Sequence, residues 1–381
     1  MNVCARCIYD ENVSSISFDE EGICNYCRQL EKLTVDYGTG GEHGERKIAD
    51  IVESIKRDGK GKRYDCVVGV SGGTDSSYLL VWAKKVGLRP LAVHYDNTWN
   101  SAIATQNIYK MLSALDIDLY THVVDNKEAD DLLRSFIISG IPSIDAPTDL
   151  ALAEVMYRAA GKHGVKYILE GHSFVTEGIS PVGSHYFDGG LIRSVHQLFG
   201  RRKMKTYPLM TFWRFLWWVC FARIQKIRPF WYLDYSKEAA QEYLQSNFGW
   251  KYYGGHHLEN RITSFSHTYY SPVKYKRDFR NLTLGALARN GKISREEAMA
   301  IYARPPTYDP DLIDYVKKRL GFSNDDFDDI MRAPPRQWWE FKTYKRRFEN
   351  FRFLFRVLAK KNLVPMSFYL KYCFPIKDAK K

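Results

Sequence analysis

The stretch Tyr64–Ser77, YDCVVGVSGGTDSS, constrains the fold more than any other part of this 381-residue chain. Its valines, up to Val70, predict a buried β-strand. Gly72 and Gly73 then let the backbone turn and approach an anion closely. Residues 76–85 predict a helix, whose unpaired N-terminal N–H groups attract negative charge. The sequence therefore predicts a phosphate-binding turn between a strand and a helix.

The order of residues in this turn narrows the kind of site. The turn does not match the nucleotide-triphosphate loop G-x-x-x-x-G-K-[ST], because no lysine follows the glycines. An ordinary strand–turn–helix joint is the simpler interpretation, but paired glycines, an acid and hydroxyls occur here together. The turn resembles the SGGxDS loop of the ATP pyrophosphatases, which split ATP between its α and β phosphates and adenylate a substrate oxygen. The resemblance implies that Asp75 is catalytic and helps to place Mg²⁺, and that ATP is bound by Ser71, Gly72, Gly73, Thr74, Asp75 and Ser76.

Short apolar runs alternate with helical patterns from residue 64 to about 172. They predict strands at 64–70, 90–95, 120–124 and 166–170, and helices at 75–86, 100–115, 127–138 and 148–162. Such alternation is typical of βαβ crossovers onto a parallel sheet with helices on both faces. We therefore expect an α/β fold with a doubly wound parallel sheet.

Polar residues follow the predicted strand ends, where ligands bind in sheets of this kind. Asp96 and Asn97 follow the second strand, and we expect them in the nucleotide pocket, with capping of the next helix as the alternative. Gly171 and His172 follow the fourth strand. We expect Gly171 beside ATP and His172 beside the substrate, with a purely structural histidine as the alternative.

Four cysteines near the N-terminus form two C-x-x-C pairs, Cys4 with Cys7 and Cys24 with Cys27. This spacing predicts four thiolates around one structural Zn²⁺, because four protein ligands leave no open coordination position. An iron–sulfur cluster is the alternative. The other cysteines lie singly in apolar surroundings and are predicted to be packing residues: Cys66, Cys220 and Cys373.

The formal net charge of +12 is divided unevenly along the chain. Residues 1–200 hold 20 Lys and Arg against 27 Asp and Glu, net −7, whereas residues 201–381 hold 36 against 17, net +19. The basic half must face something acidic, either a nucleotide-linked sugar, a nucleic acid, an acidic membrane surface or an acidic partner protein.

Changes of composition divide the chain into three predicted domains. Residues 1–60 form a zinc ribbon and linker in which 37–44 is a flexible glycine-rich connector, 61–200 form the ATP-pyrophosphatase domain, and 201–381 form a basic, aromatic, mainly helical domain for substrate or partner. Residues 212–221 favour a buried helix over an interfacial amphipathic one. No apolar run is long enough to span a bilayer, so we expect a cytoplasmic protein.

Three further stretches carry a narrower resemblance: Asp96–Asn100, Trp250–Asn260, and Ser271–Arg280 with Gly291–Ala298. Together with the cysteine pairs, their order resembles the N-acetyl sugar amidotransferases of bacterial surface-polysaccharide biosynthesis. This family converts an N-acetyl group of a nucleotide-activated sugar to an acetamidino group. The resemblance implies an ATP-pyrophosphatase (adenine nucleotide α-hydrolase-like) sheet, an N-terminal zinc ribbon and a mainly helical C-terminal region.

The same resemblance implies roles for basic residues in the C-terminal half. Lys274 and Arg280 match the basic positions of a family motif and would be catalytic, by stabilising charge on pyrophosphate or by holding the sugar diphosphate. The spacing here is irregular, so Lys276 and Arg277 are possible substitutes, and a solvated basic loop is the alternative. His256 and His257 are weaker candidates for substrate contact.

Ammonia must come from outside the chain, since none of its scattered cysteines resembles a glutaminase nucleophile. The family's pathways imply a glutaminase–synthase pair resembling the histidine-biosynthesis enzymes. A transfer-RNA thiolation enzyme of the same superfamily is the runner-up, weakened because no cysteine pair lies in the predicted catalytic core. A zinc-ribbon module that binds nucleic acid is a third alternative. On the favoured interpretation no nucleic-acid partner is expected.

Overall fold

The fold is known from a computed structural model, which describes residues 2–181, 186–255 and 258–375. Its centre is a five-stranded, wholly parallel sheet in the order β3-β2-β1-β4-β5. The strands are β1 (Cys66–Gly69), β2 (Pro90–Asp96), β3 (Leu119–Val123), β4 (Tyr167–Leu169) and β5 (Gln225–Ile227). The strand order reverses between β1 and β4, and this reversal leaves a crevice at their carboxyl ends.

Four helices connect the first four strands and cover both faces of the sheet: α3 (Thr74–Lys85), α4 (Ala102–Leu115), α5 (Asn126–Ser139) and α6 (Ala146–Lys162). They are preceded by α1 (Asn25–Tyr37) and α2 (Glu42–Asp58). The helices that follow α6 are α7 (Phe174–Glu177), α8 (Gly189–Phe199), α9 (Phe212–Leu216), α10 (Lys237–Phe248), α11 (Arg261–Phe265), α12 (Ser271–Tyr275), α13 (Arg280–Arg289), α14 (Arg295–Ala303), α15 (Pro310–Leu320), α16 (Asn324–Arg332), α17 (Lys345–Asn350), α18 (Arg352–Lys360) and α19 (Met366–Tyr372).

The two faces of β1 enter different cores, because successive strand residues point to opposite sides of a sheet. Val68 packs with the apolar sides of α3 and α4. Val67 packs with α5, α6 and the C-terminal helices. The predicted α/β class, with its parallel sheet and mainly helical C-terminal region, is thus confirmed.

Three local features differ from the sequence-based expectations. In the glycine-rich stretch 37–44, only residues 38–41 form a turn between α1 and α2, so the stretch is not a loose connector. A Cβ on Gly44 would lie 2.3 Å from the carbonyl oxygen of Gly38, so the glycines there allow close packing. In addition, β5 pairs with β4 although β5 lies beyond residue 200. The sheet therefore includes a strand from outside the predicted range of the second domain, 61–200.

The third difference concerns residues 212–221, predicted to be buried. They form α9 and a π-helical turn. Only one side of this segment is buried, and its buried residues include Phe212, Trp218 and Val219. Trp213 and Phe221 are exposed. Within the described ranges, no helix combines the length and apolar character that crossing a bilayer requires.

Candidate functional site

The SGGTDS loop joins β1 to α3 and is fixed by close contacts. Gly72 has a φ of 82°, and a Cβ there would lie 2.2 Å from the carbonyl oxygen of Ala104 in α4. The carbonyl oxygen of Gly72 accepts hydrogen bonds from Asn107 Nδ2 (3.3 Å) and Trp250 Nε1 (3.1 Å). A residue with a side chain would not fit at this position.

The loop presents polar groups at the start of α3. Ser71 Oγ donates to Glu259 Oε1 (3.1 Å) and accepts from the backbone N–H of Gly73 (3.2 Å). The cap residue Gly73 offers no side chain to the first turn of α3. This helix start has the features of a phosphate-binding turn, with N–H donors and the positive end of the helix dipole.

Asp75, in the first turn of α3, is held by two residues from the C-terminal half. Tyr235 donates its hydroxyl hydrogen to Asp75 Oδ1 (2.6 Å), and Lys237 Nζ donates to Oδ2 (2.7 Å). Lys237 Nζ also lies 4.0 Å from Glu177 Oε1. Burial lowers the pKa of Lys237, but the charges of Asp75 and Glu177 outweigh burial and the net shift is upward. Lys237 is therefore a cation beside the loop.

The end of β4 packs directly against the loop. A Cβ on Gly171 would lie 2.9 Å from the carbonyl oxygen of Asp75. The preceding residue, Glu170, accepts from Lys226 Nζ (2.6 Å) and Arg228 Nε (3.0 Å). Burial acts to raise the pKa of Glu170, but the two cations lower it by more than burial raises it. The net shift is downward, so the carboxylate stays ionised.

His172 is a neutral imidazole. Burial, aided by the charge of Arg228, lowers its pKa to about 3. Its Nδ1 accepts a hydrogen bond from Trp231 Nε1 (3.0 Å), so the ring proton lies on Nε2, 3.9 Å from Glu177 Oε2. His172 can therefore donate one hydrogen bond towards a ligand without carrying charge.

The last residue of β2, Asp96, and the next residue, Asn97, hold a turn before α4. Asp96 Oδ1 accepts from the N–H of Thr98 (2.8 Å), and Asn97 Oδ1 accepts from the N–H of Trp99 (3.1 Å). Ser101, not Asp96 or Asn97, caps α4. Asn97 lies on the wall of the cavity described next.

A cavity of about 720 Å³ opens where β1, β2 and β4 end. This volume suits a nucleotide-sized ligand. Four of the sequence-predicted residues line it: Ser71, Asn97, Gly171 and His172. Its polar wall also includes groups that sequence reasoning did not single out: Asp145, Asp149, Glu177, Lys226, Glu259, His267 and Lys371.

Lys274 and Arg280, predicted to be catalytic, are not brought to this cavity. Lys274 Nζ donates to the carbonyl oxygens of Ile330 and Ala333 at the end of α16. Arg280 forms an ion pair with Asp278 and donates to backbone carbonyls near the end of α14. Both side chains thus bind helix ends, where cations complement unpaired carbonyls.

Lys276 and Arg277, the possible substitutes for Lys274 and Arg280, also do not line the cavity. Lys276 is exposed and ends α12 in a left-handed conformation, with φ 54°. Arg277 is half-buried, and burial lowers its pKa. His256 and His257 lie outside the described residues.

The four N-terminal cysteines converge as predicted. All four side chains are buried, and their Sγ atoms lie within 4.8 Å of one another. The separations are 3.8 Å for Cys4 and Cys27, 3.8 Å for Cys7 and Cys24, and 3.6 Å for Cys24 and Cys27. A tetrahedral site with Zn–S bonds of about 2.3 Å has sulfur separations of about 3.8 Å, so the four thiols fit one zinc ion.

The cysteine cluster is tied to the helices that follow the cavity. Arg289 Nε in α13 lies 3.5 Å from Cys27 Sγ, and Arg295 Nε donates to the carbonyl oxygen of Cys4 (2.9 Å). Leu282 of α13 packs against the cluster and also lines the cavity. A metal ion held by the four cysteines would therefore support one wall of the cavity.

The sheet and its loop define an α/β protein whose glycine-rich turn at the strand ends has the features of a phosphate-binding turn. Residues 259–355 match a family model described as "LPS biosynthesis protein WbpG-like, C-terminal domain". The matched range begins at Glu259, which contacts Ser71 in the loop. This match confirms the resemblance to proteins of surface-polysaccharide biosynthesis. No curated protein sequence matches the chain.

Solved structures with a similar arrangement include three proteins of low sequence identity. An NH3-dependent NAD synthetase from Campylobacter jejuni is 14% identical, with TM-score 0.31, covering 77% of this chain and 98% of that chain. An NMN synthetase from Francisella tularensis is 15% identical, with TM-score 0.28 and coverages of 55% and 88%. A predicted subunit of tRNA methyltransferase from Methanocaldococcus jannaschii is 13% identical, with TM-score 0.28 and coverages of 57% and 90%. These likenesses are too distant to indicate a substrate.

The zinc site can be tested by Cys24→Ser. We expect about one equivalent of zinc in the unmodified protein, and loss of zinc with a melting temperature lower by at least about 5 °C in the variant, because metal binding contributes folding free energy. The half-buried Cys220 provides the matched control, and Cys220→Ser should keep its zinc. Stoichiometric iron with visible absorption in anaerobically purified protein would contradict the zinc assignment.

Proposed function

We propose that this protein is an ATP-dependent amidotransferase that converts an N-acetyl group of a nucleotide-activated sugar to an acetamidino group. The reaction would serve lipopolysaccharide O-antigen or related surface-polysaccharide biosynthesis. The observation that carries the proposal is the SGGTDS loop, held at the start of α3 and opening through Ser71 onto the cavity. The family match over residues 259–355 supports the pathway.

The chemistry explains why an adenylating loop is needed. An amide carbon is a weak electrophile, and its oxygen does not leave. The acetyl oxygen would attack the α phosphorus of ATP, releasing pyrophosphate and forming an O-adenylated imidate. Ammonia would then attack the imidate carbon, and the C–O bond would break with release of AMP. The proton lost by ammonia remains on the amidine product or passes to solvent.

The contacts of the loop region suggest a role for each residue in this proposal. The N–H groups at the start of α3 would hold the departing phosphates, with Lys237 supplying positive charge. The neutral His172 would donate its Nε2 hydrogen to a ligand oxygen. Asp75 and Glu177, on either side of Lys237, offer the carboxylate oxygens that Mg²⁺ prefers and would hold it together with phosphate oxygens. Mg²⁺ would supply neutralisation of the phosphate charge.

The nitrogen donor in this proposal is ammonia from a separate glutaminase–synthase pair. Burial raises the pKa of the Cys66 and Cys220 thiols, and it raises the pKa of Cys373 to about 12, which opposes thiolate formation. Among the described residues that line the cavity there is no cysteine. The same observation disfavours the thiolation alternative, which requires a sulfur-carrying group near ATP.

Asp75→Asn tests the adenylation site. With ATP, Mg²⁺, ammonium and a panel of nucleotide-linked N-acetyl sugars, the unmodified protein should form AMP and pyrophosphate together with a product lighter by about one dalton. Loss of the Asp75 charge should reduce the rate at least about 100-fold. The control is Asp116→Asn, at an exposed left-handed position that asparagine also tolerates. Release of ADP, or an Asp75 variant of near-normal rate, would contradict the proposal.

The nitrogen source is tested by comparing ammonium with glutamine. The isolated chain should use ammonium but not glutamine, and its rate should rise with pH because only unprotonated NH3 attacks the imidate. Addition of a glutaminase–synthase pair should restore glutamine use at neutral pH. If the chain alone consumes glutamine and releases glutamate at a rate comparable to its rate with ammonium, the proposal of a separate ammonia donor is wrong.

A further inference from the structure

Lys371 has an unusual position for a lysine. It lies on α19, near the end of the described chain, and lines the cavity. Its Nζ is 5.7 Å from the ring centre of Phe187 and 5.8 Å from that of Tyr372. Among residues 2–181, 186–255 and 258–375, no group forms a hydrogen bond with this Nζ, and no carboxylate oxygen lies within 4.0 Å of it.

Other lysines around the site are bound directly by carboxylates or by backbone carbonyls. Lys226 is paired with Glu170 and Lys237 with Asp75. Lys345, which packs beside α19, donates to three backbone carbonyls at the end of that helix. A partly desolvated charge without such partners lowers folding stability, and groups of this kind are typical of ligand sites.

We propose that Lys371 is the anion-binding group of a second subsite, which holds a phosphoryl group of the nucleoside diphosphate sugar while the SGGTDS loop holds ATP. This inference rests on the proposed function, which requires both ligands in one cavity. The ammonium can bind phosphoryl oxygens through charge-assisted hydrogen bonds. Lys371 lies outside the range that the family model matches, so that match does not assign it.

The surroundings of Lys371 suit such a substrate. Asp149 and Thr148 of α6 line the same cavity and offer hydrogen-bond partners for sugar hydroxyls. His267 stacks on Phe279, with ring centres 4.2 Å apart and planes at 28°, and both rings line the cavity. The cavity thus offers hydroxyl-binding groups and aromatic surface in addition to the Lys371 cation.

The charge on Lys371 responds to pH near the physiological range. Burial lowers its pKa to about 8, while Asp149 on α6 acts in the opposite direction. Tyr372, on the same helix, has its own pKa raised by burial and stays neutral, and the other titratable groups in the cavity lining include Asp145 and His267. As the pH rises through about 8, Lys371 loses its charge, so anion binding at this subsite should weaken.

Calorimetry tests the subsite without requiring turnover. Each protein is saturated with α,β-methylene-ATP, which occupies the loop, and then titrated with UDP, GDP and dTDP. For the nucleotide that binds best, Lys371→Met should weaken binding at least about tenfold at pH 7. Binding of α,β-methylene-ATP itself should change less than about twofold. The matched control is Lys360→Met, at an exposed lysine that ends α18.

A pH series separates a charge effect from a structural one. Affinity of the unmodified protein should fall between pH 7 and pH 9, whereas Lys371→Arg should bind at pH 7 and keep its affinity at pH 9, because guanidinium remains charged. The subsite is overturned if no diphosphate binds the unmodified protein, if Lys371→Met binds normally, or if that variant loses the ATP analogue equally. Failure to form an amidine product with normal diphosphate binding would refute the proposed reaction and leave the subsite standing.

Discussion

The contact between Gly72 and α4 is the constraint on which the rest of the site depends. There is no room for a Cβ between Gly72 and the Ala104 carbonyl, and the Gly72 carbonyl is bound by Asn107 and Trp250. The loop is therefore fixed against α4 on one side and against the C-terminal half on the other. Glu259, nine residues after Trp250, accepts a hydrogen bond from Ser71 in the same loop.

The uneven charge of the chain is partly neutralised inside the molecule. Carboxylates of the acidic N-terminal half face basic residues of the C-terminal half. Glu154 in α6, fully buried, accepts from Arg214 Nε (2.7 Å), and Asp130 in α5 accepts from Arg319 Nε (2.9 Å). Glu170 with Lys226 follows the same pattern at the site itself. The acidic surface that the basic half requires therefore includes the protein's own first half.

Much of the sheet could be predicted, because its signals are local. The four strands and four helices between residues 64 and 172 were expected within a few residues of their observed limits, since apolar runs and turn residues mark them. The strand β5 was missed because three residues, Gln225–Ile227, carry no periodic pattern. The cysteine spacing likewise predicted a cluster whose ligand atoms do converge.

The site was predictable only where it follows strand ends. Asn97 and His172 follow β2 and β4 and reach the cavity, as strand-end position implies. Tyr235 and Lys237 lie far along the chain from Asp75, and their contact depends on how α10 packs against α3. The contacts of the basic motif could not be predicted, because charge does not reveal its partner, and Lys274 binds carbonyls at the end of α16.

Oxygen labelling tests the central claim most directly, because adenylation transfers the acetyl oxygen to AMP. The substrate would carry ¹⁸O in its N-acetyl carbonyl, and the products of one turnover would be analysed by mass spectrometry. We predict that the label appears in the phosphate of AMP, with none in pyrophosphate. Label in inorganic phosphate or in water, with unlabelled AMP, would contradict the adenylated imidate on which the proposed function rests.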